Sequence, residues 1–343
     1  MKALVLEEYM KLVYKDVADP VAVDNEVLVE VKAAGICGSD VHGMDGSTGR
    51  RIPPVIMGHE ASGIIRETGS GVRGWSVGDR VTFDSTIYAL DDWFTRRGRY
   101  NLSDGRMVLG VSAKEFRRDG AYAEYVTVPA HILYRIPENV SYTRAAMVEP
   151  AAVALHAVNL TPVSVNDTAV VTGAGMIGLF VIQMLRLAGC TQIVAVDIDD
   201  NKLELAEKLG ATVMLNPEKS DISDEVSVIT AGRGADIAFE VVGISKSLNT
   251  AINSLRKGGV LTLVGNLSAT AEIPLQAIVT RELRLQGSCA INGEYQPVLD
   301  LIDRDMINTD IMLSAEAPLS EGADWFRRLY EKEKGLNKVV LIP

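Results

Sequence analysis

The sequence predicts an α/β protein in which a β-rich domain is followed by a doubly wound, parallel-sheet domain. Up to about Val148, short β-prone runs are separated by Gly and Pro, whereas strands alternate with helical stretches from about Ala151 to Gln286. The second pattern is typical of βαβ units, whose parallel sheet is covered by helices on both faces. With 343 residues, the chain is long enough for two domains that each bury a core of their own.

In the first domain, β-branched and aromatic residues predict strands over residues 27–35, 62–69, 78–83 and 123–129, arranged as an antiparallel, barrel-like sheet. In the second domain, strands are predicted over residues 167–173, 192–197, 235–243 and 258–265. Helices are expected over residues 176–189 and 201–210, and a third helix is expected to end near Lys257.

Composition and charge exclude two classes of partner. Asp and Glu outnumber Lys and Arg by 45 to 34, and the net charge of -11 leaves no broad basic face for nucleic acid or an anionic membrane. No signal-peptide core follows Met1, and no apolar run approaches the length of a membrane span. The cysteines are odd in number and far apart, which argues against a disulfide framework. We therefore expect a cytoplasmic protein that acts on a small molecule.

A glycine-rich run predicts a dinucleotide site in the second domain. Gly173, Gly175 and Gly178 form a G-x-G-x-x-G pattern that directly follows an apolar strand and, with Met176 and Ile177, opens an apolar helix. Glycines in this context permit a tight turn and let backbone N–H groups approach a pyrophosphate. The run alone is weak evidence, but its position between strand and helix strengthens it.

The next strand indicates which dinucleotide is bound. Asp197 ends that strand, where an acidic side chain accepts hydrogen bonds from the ribose hydroxyls. Asp199 and Asp200 follow and no Arg comes directly after Asp197, so a 2′-phosphate would meet negative charge. We expect NAD rather than NADP. Lys202 could reach the adenosine ribose, although a solvated helix lysine is nearly as plausible an interpretation.

Four residues far apart in sequence have the chemistry of a metal site. Cys37, the His59-Glu60 pair and Glu149 supply a thiolate, an imidazole and carboxylates, the ligands that suit Zn²⁺ at a catalytic centre with one open position. Each alone has an ordinary alternative, such as an inert buried cysteine or a core histidine. Their joint occurrence favours the metal site.

The motifs that carry these residues resemble a known family. GICGSDVH (35–42), GHEASGIIRETGSGV (58–72), GDRV (78–81), VEP (148–150) and GAGMIG (173–178) stand in the order and spacing of the zinc-dependent medium-chain dehydrogenase/reductase family, in its sorbitol, galactitol-phosphate and threonine dehydrogenase branch. The resemblance covers essentially the whole chain. It implies a GroES-like catalytic domain of residues 1–150, completed by residues 290–343, and a Rossmann NAD-binding domain of residues 151–289.

The resemblance also implies site residues and assembly. Cys37, His59 and either Glu60 or Glu149 would hold one catalytic zinc ion, with the two glutamates able to exchange with water. Glu149, where dehydrogenases of simple alcohols typically carry Cys, points toward polyhydroxy substrates. A homodimer or homotetramer is expected. The further cofactor-binding residues expected from the resemblance are Val242, Val264, Gly265, Asn266 and Cys289.

A proton relay is expected beside the metal. Ser39 is placed to accept the alcohol proton, with His42 or a ribose hydroxyl as the next station. Asp40 is a candidate for orienting the imidazole of His59. The alternatives are a loop hydroxyl for Ser39 and a turn former for Asp40.

The chain departs from the family at two places. Many relatives hold a structural zinc ion with four cysteines, but the matching positions are Ala89, Asp92, Thr95 and Ser103, so no closed thiolate site can form. The lobe over residues 85–116 must then be held by packing and by its charged side chains, including Asp91, Asp92, Arg96, Arg97 and Arg99.

The second departure concerns the substrate. Sorbitol dehydrogenases commonly carry an Arg-Tyr pair where this chain has Ala290 and Ile291, which weakens a literal sorbitol assignment. Asn292, Glu294 and Tyr295 are candidates for polar contacts in its place.

These observations lead to one main hypothesis and two alternatives. The main hypothesis is a zinc-dependent oxidoreductase that transfers a hydride from a secondary alcohol of a polyol, cyclitol or sugar derivative to NAD⁺ and gives the ketone. The alternatives are an amino-alcohol or aminocyclitol dehydrogenase of the threonine type, and a non-catalytic NAD-binding protein.

Overall fold

The computed structural model describes residues 1–113 and 116–343, so Lys114 and Glu115 of the predicted lobe lie outside the described residues. The chain divides into two compact units, one formed by residues 1–149 with 291–343 and the other by residues 150–290. In the described part of the chain, every helix is too short or too polar to cross a membrane.

The first unit is β-rich. Its strands are β1 (Lys2–Glu8), β2 (Lys11–Asp16), β3 (Glu26–Gly35), β4 (Val55–Ile56), β5 (Glu60–Thr68), β6 (Arg80–Phe83), β7 (Thr86–Ile87), β8 (Met107–Val108), β9 (Ser112–Ala113), β10 (Phe116–Arg117), β11 (Tyr125–Pro129), β12 (Leu133–Arg135), β19 (Leu313–Pro318) and β20 (Lys338–Ile342). Its helices are α1 (Gly38–Gly43), α2 (Tyr142–Ala146), α9 (Tyr295–Asp303) and α10 (Gly322–Tyr330).

The main sheet of this unit is built around β3. Strands follow the order β12-β6-β5-β3-β20-β19, and β11 also pairs with β3. Only β19 and β20 are parallel in this sheet. Val27, Val29 and Val31 alternate along β3 and are buried in the core, as expected for a strand with one face on the core. The last strand, β20, therefore ties the carboxyl-terminal segment to the centre of the β-rich sheet.

The second unit contains a parallel sheet. Its strands are β13 (Thr168–Thr172), β14 (Gln192–Val196), β15 (Val213–Leu215), β16 (Ala235–Glu240), β17 (Leu255–Leu263) and β18 (Arg284–Gly287). The helices of this part of the chain are α3 (Val148–Leu160), α4 (Met176–Leu187), α5 (Asp200–Lys208), α6 (Ile222–Ile229), α7 (Ser245–Ser254) and α8 (Leu275–Thr280).

The strand order of the parallel sheet determines where a ligand binds. The order is β15-β14-β13-β16-β17-β18, and every neighbouring pair is parallel. In chain order this is 3-2-1-4-5-6, a doubly wound sheet that binds ligands outside the carboxyl ends of its strands where the order reverses. The reversal lies between β13 and β16, so the glycine-rich turn after β13 is at the expected position.

The predicted fold class, β-rich in one part and doubly wound in the other, is confirmed, with one correction to an element. Helix α7 ends at Ser254 rather than near Lys257, because Leu255 takes an extended conformation with φ -76° and ψ 149°. Strand β17 therefore begins at Leu255, three residues before the predicted start at Gly258.

Candidate metal centre and dinucleotide site

Pairing of β3 with β5 brings the predicted metal ligands together. Gly35 at the end of β3 pairs with Glu60 at the start of β5, so Cys37 and the His59-Glu60 pair are adjacent in space although His59 lies 22 positions after Cys37 in the sequence. One ligand atom from each of Cys37, His59 and Glu60 lies within 4.8 Å of the others. His59 and Glu60 are buried, and Cys37 is half-buried.

Charges around the thiol favour a cation. Burial and then the negative charges of Glu60 and Asp40 raise the pKa of the Cys37 thiol well above its ordinary value, and Lys338 opposes them. Lys338, itself buried, donates from Nζ to the carboxylate of Glu60 and to the carbonyl of Ile36, the latter at 3.1 Å. Thiolate, imidazole and carboxylate donors that converge in a buried, anionic environment fit a zinc ion.

Asp40 lies behind His59 in a network of buried polar groups. Its Oδ2 is 3.4 Å from His59 Nδ1, a nitrogen that has no hydrogen-bond partner among the described residues. Arg51 Nε donates to Asp40 Oδ1 at 2.9 Å, and the Tyr122 hydroxyl donates to Oδ2 at 2.9 Å. Burial raises the pKa of Asp40, but the charges of Arg51 and His59 outweigh it and leave the pKa below its ordinary value. Asp40 is therefore a buried anion close to the imidazole.

Glu149 lies in the first turn of α3 but outside the group of three ligand atoms within 4.8 Å. The Ser85 hydroxyl donates to its Oε1 at 2.8 Å. Burial raises the pKa of Glu149 to about 7, with Glu60 adding to this effect while His59 and Ser85 oppose it. A buried carboxyl group with this pKa can exchange a proton near neutral pH.

The predicted relay residues are on α1 and at its start. Ser39 is exposed, donates to Cys37 Sγ at 3.2 Å and lies 3.4 Å from Arg51 Nη2. His42 is half-buried, and within the described chain no hydrogen bond joins its side chain to Ser39. The structure thus places Ser39 beside the Cys37 thiol, and no hydrogen bond among the described residues links Ser39 to the side chain of His42.

The glycine-rich turn has the shape of a phosphate cradle. Gly173 has φ +100°, and a Cβ at Gly178 would lie 1.8 Å from Gly173 O, so both positions require glycine. Gly175 precedes α4 as its N-cap, and a Cβ there would meet nothing within 4 Å. Met176 and Ile177 begin the helix, whose free N–H groups favour an anion.

Asp197 closes the other side of this turn. Its Oδ2 accepts the N–H of Ala174 at 2.7 Å, and its Oδ1 accepts the N–H of Asp199 at 3.0 Å. Lys202 lies in α5 and is half-exposed. The remaining predicted cofactor residues follow three parallel strands at the same carboxyl edge: Val242 after β16, Val264 to Asn266 after β17, and Cys289 after β18.

The lobe lacks thiolates and is closed by Asp92 instead. Asp92 Oδ1 accepts the N–H groups of Phe94 and Thr95 at 2.8 and 3.2 Å, and Oδ2 accepts the N–H of Asp104 at 3.3 Å. Arg97 lies over the ring of Trp93 rather than in an ion pair, with 3.7 Å between guanidinium and ring centroid. Backbone capping by Asp92 and the cation–π contact of Arg97 are thus two of the interactions within the described part of the lobe.

In the lobe, two of the positions where many relatives carry zinc-binding cysteines have buried hydroxyls. Thr95 Oγ1 and Ser103 Oγ have no hydrogen-bond partner in the described chain. Ala89 offers no donor atom to a metal.

The segment after Ala290 turns its polar groups inward. Asn292 Nδ2 donates to Gly98 O at 2.8 Å, and Glu294 Oε2 accepts the N–H of Asn292 at 2.6 Å. Tyr295 is fully buried, and its ring stacks on that of Tyr134 with 4.9 Å between centroids. Asn292 Oδ1 and the Tyr295 hydroxyl have no hydrogen-bond partner among the described residues, so polar contacts of these side chains with substrate stay a prediction.

Comparisons with known proteins agree with this geometry. The alcohol dehydrogenase GroES-like domain matches residues 23–138, and the zinc-binding dehydrogenase family model matches residues 177–304. A sorbitol dehydrogenase from Bacillus subtilis (strain 168) is 31% identical over 100% of this chain and 97% of its own length. The chain belongs to the zinc-dependent medium-chain dehydrogenase/reductase family. A D-arabitol-phosphate dehydrogenase from Enterococcus avium is 32% identical over 94% of this chain and 92% of its own length.

A solved structure supports the same assignment. A proposed zinc-binding dehydrogenase from Sinorhizobium meliloti 1021, bound to NADP, has a TM-score of 0.91 and 32% identity, and the match covers 100% of this chain and 99% of that chain. The predicted family, its GroES-like and Rossmann domains and a zinc-dependent dehydrogenase activity on alcohols are confirmed. The amino-alcohol alternative is not favoured by these relatives.

Sequence reasoning missed several residues of this medium-chain dehydrogenase. Lys338 and Arg51 are the buried cations paired with Glu60 and Asp40, yet each is an ordinary basic residue in the sequence. Nothing local marks Lys338, which lies 278 residues from its partner. For Ser85, adjacency to the predicted strand at residues 78–83 was a usable signal, since polar residues at strand ends often line sites.

Proposed function

We propose that this dehydrogenase oxidises a secondary alcohol of a polyol, cyclitol or sugar derivative to the ketone and transfers the hydride to NAD⁺. The observation that carries the proposal is the group of candidate ligands formed by Cys37, His59 and Glu60. A further buried carboxyl group, that of Glu149, stands where dehydrogenases of simple alcohols typically carry a cysteine. The sorbitol and arabitol-phosphate dehydrogenases among its relatives support this class of substrate.

Cys37, His59 and Glu60 would hold the zinc ion, and Glu149 would exchange with Glu60 or bind water beside it. Zinc, when bound, supplies a Lewis acid that makes the alcohol hydroxyl more acidic. Glu60 is paired with Lys338, so any movement of Glu60 toward the metal must release or carry along this buried ammonium group. The buried carboxyl of Glu149 has a pKa of about 7, so a change in the charge around it would change its protonation near neutral pH.

In the reaction, the O–H and C–H bonds of one carbinol group break and a C=O bond forms. Ser39, beside Cys37, receives the hydroxyl proton and passes it on to solvent; His42 can be the next station only through an intervening group, since no hydrogen bond joins its side chain to Ser39 in the described chain. The hydride leaves with the electron pair of the C–H bond, and NAD⁺, when bound, accepts it.

The cofactor assignment to NAD⁺ rests on Asp197. Its carboxylate is held by the N–H groups of Ala174 and Asp199, so it stays at the end of β14, where it would accept ribose hydroxyls and repel a 2′-phosphate. One relative is bound to NADP, so this preference requires its own test. We also propose one zinc ion per chain, because the lobe positions supply no thiolate.

A substrate screen tests the proposed function. Purified enzyme loaded with zinc is assayed for NAD⁺ reduction with xylitol, sorbitol, galactitol, their phosphate esters, inositols, aminocyclitols, threonine and simple aliphatic alcohols. We expect turnover with polyhydroxy compounds. Activity confined to aliphatic alcohols would contradict the substrate class, and activity confined to amino alcohols would support the alternative.

A variant of Glu149 tests the site itself. In Glu149→Gln, the Ser85 hydroxyl can still donate to the side-chain carbonyl, but the negative charge is lost. We expect polyol oxidation to fall at least about 100-fold, because the electrostatics at the metal change. NADH affinity, measured by fluorescence titration, should stay unchanged. Full activity in this variant would refute the role of Glu149.

Compartment and assembly remain predictions. A cytoplasmic location is supported by three cysteines that are all free thiols. A homodimer or homotetramer is proposed, and light scattering of the zinc-loaded protein measures it.

A further inference from the structure

A buried glutamate lies where the strand order of the parallel sheet reverses. Glu240 is the last residue of β16 and pairs in register with Thr172, the last residue of β13. Gly173 and the glycine-rich turn follow directly. Glu240 is therefore at the switch point between β13 and β16, outside which doubly wound sheets bind dinucleotides.

The Glu240 carboxylate holds the turn that follows it. It accepts the N–H groups of Val242 and Gly243, each at 2.9 Å, and the hydroxyl of Ser247 at 2.6 Å. Only 1% of the residue is exposed, and within the described residues its carboxylate has no cationic partner in an ion pair. Three neutral donors therefore stabilise this buried charge.

The backbone of Glu240 holds a second turn. Its carbonyl oxygen accepts the N–H of Val264 at 2.9 Å and that of Gly265 at 3.0 Å, so the turn after β17 is fixed to the same residue. Val242, Val264 and Gly265 are among the proposed cofactor-binding residues. One side chain and its carbonyl thus position two turns of the proposed cofactor site.

Close backbone packing makes these turns move together. A Cβ at Gly265 would lie 2.3 Å from Gly243 N, and one at Gly243 would lie 2.4 Å from Asn266 N. A Cβ at Gly173 would lie 2.7 Å from Val242 Cγ2, so the Val242 side chain also lies against the pyrophosphate turn. A shift of the turn held by Glu240 would therefore reach both neighbouring turns.

We propose that Glu240 is a positioning residue for the dinucleotide: its carboxylate fixes the Val242-Gly243 turn, and through it the turns at Gly173 and Gly265, in the conformation that binds NAD(H). The inference rests on the proposed function, since it requires that these turns bind the cofactor. Glu240 does not contact the reacting atoms in this proposal and acts through the backbone that it holds.

Two substitutions separate hydrogen bonding from charge. Glu240→Gln retains a carbonyl oxygen that can accept the N–H groups of Val242 and Gly243. Its amide can donate to the Ser247 hydroxyl, which has another acceptor in Ile244 O at 3.1 Å. Glu240→Ala removes every acceptor and leaves these N–H groups without partners in a buried place. We expect NADH to bind Glu240→Gln within about threefold of wild type and Glu240→Ala at least about tenfold more weakly.

Asp236 supplies a matched control at the other end of the same strand. It is a buried acid that accepts the N–H of Thr168 at 2.9 Å and pairs with Arg233 and Arg256, away from the carboxyl edge. Asp236→Ala should lower the urea midpoint of unfolding but leave NADH affinity unchanged. If Glu240 is a positioning residue, its alanine variant should lose NADH affinity, whereas the alanine variant of Asp236 should lose only stability against urea.

The experiment measures the NADH dissociation constant by fluorescence titration and the urea midpoint for the zinc-loaded enzyme and the three variants. Weaker NADH binding in Glu240→Ala alone supports the inference. Unchanged affinity in Glu240→Ala, or equal weakening in Asp236→Ala, overturns it. If Glu240→Ala does not fold, Ser247→Ala, which removes one of the three donors, must still weaken NADH binding severalfold. If wild type binds neither NADH nor NADPH, the proposed function fails instead.

Discussion

Gly35 offers a sharp test of the geometry at the metal centre. A Cβ added there would lie 2.6 Å from Glu60 Oε2 and 2.8 Å from Lys338 Cε, well inside the 3.4 Å at which ordinary van der Waals contact begins. Gly35→Ala must therefore displace the buried Glu60-Lys338 pair. Because the clashing atoms are the ends of two flexible side chains, the pair shifts rather than the backbone, and overpacking of this kind costs about 1–3 kcal/mol. The lower unfolded-state entropy of alanine returns about 0.5–1 kcal/mol.

We expect the Gly35→Ala variant to lose about 0–2.5 kcal/mol of unfolding free energy in urea, the overpacking cost less the entropy gain, and to retain less zinc on dialysis because Glu60 moves. Gly38→Ala is the matched control on the other side of Cys37, since a Cβ there would meet nothing within 4 Å. It should keep wild-type zinc content and be neutral or slightly stabilising in α1. If Gly35→Ala matches Gly38→Ala in stability and zinc retention, the described packing of Glu60 and Lys338 is wrong.

Two further predictions concern cofactor choice and acid stability. Wild type should use NAD⁺ far better than NADP⁺, and Asp197→Ser with Ile198→Arg should narrow or reverse the preference; equal wild-type kcat/KM for both cofactors would contradict this. Burial raises the pKa of Asp236, but the N–H of Thr168 and the charges of Arg256 and Arg233 outweigh it, so the folded pKa lies below the unfolded value. Asp236 thus stabilises the fold above its unfolded pKa of about 3.9 and loses this effect as pH falls through the folded pKa. The difference in urea midpoint between wild type and Asp236→Asn should therefore shrink on acidification, and a constant difference from about pH 7 to pH 3 would refute the assignment.

Local sequence patterns were sufficient for the fold and for choosing the candidate ligands, which the structure brings together. The alternating valines of β3 predict a strand, and the glycines after β13 predict a tight turn. Both signals lie within a few neighbouring residues, so a local pattern is enough to locate these elements. Cys37 and His59 were identifiable because their motifs carry ligand chemistry. The end of α7 was misplaced because helix ends depend on the contacts of single residues such as Leu255.

The supporting network could not be predicted in the same way. Lys338 and Arg51 reach their partners only through tertiary packing, and a lone basic residue in sequence is usually a surface residue. Asp92 was expected only as a charged side chain at a position where many relatives carry a zinc-binding cysteine, whereas in the structure it accepts backbone N–H groups. Glu240 did offer a signal, since an acidic residue that closes an apolar strand before Val-Val-Gly requires donors for its charge.

The central claim is that a single zinc centre at Cys37, His59 and Glu60 supports polyol oxidation, and zinc titration of the metal-depleted enzyme tests it most directly. Metal is removed with a chelator, zinc is added back in known equivalents per chain, and polyol-dependent NAD⁺ reduction is followed with zinc content measured in parallel. We predict that activity is lost with the metal, rises with added zinc and saturates at one equivalent, and that Cys37→Ser stays folded but does not recover. Full polyol oxidation by the metal-depleted enzyme, or two tightly held zinc ions per chain, would contradict the account.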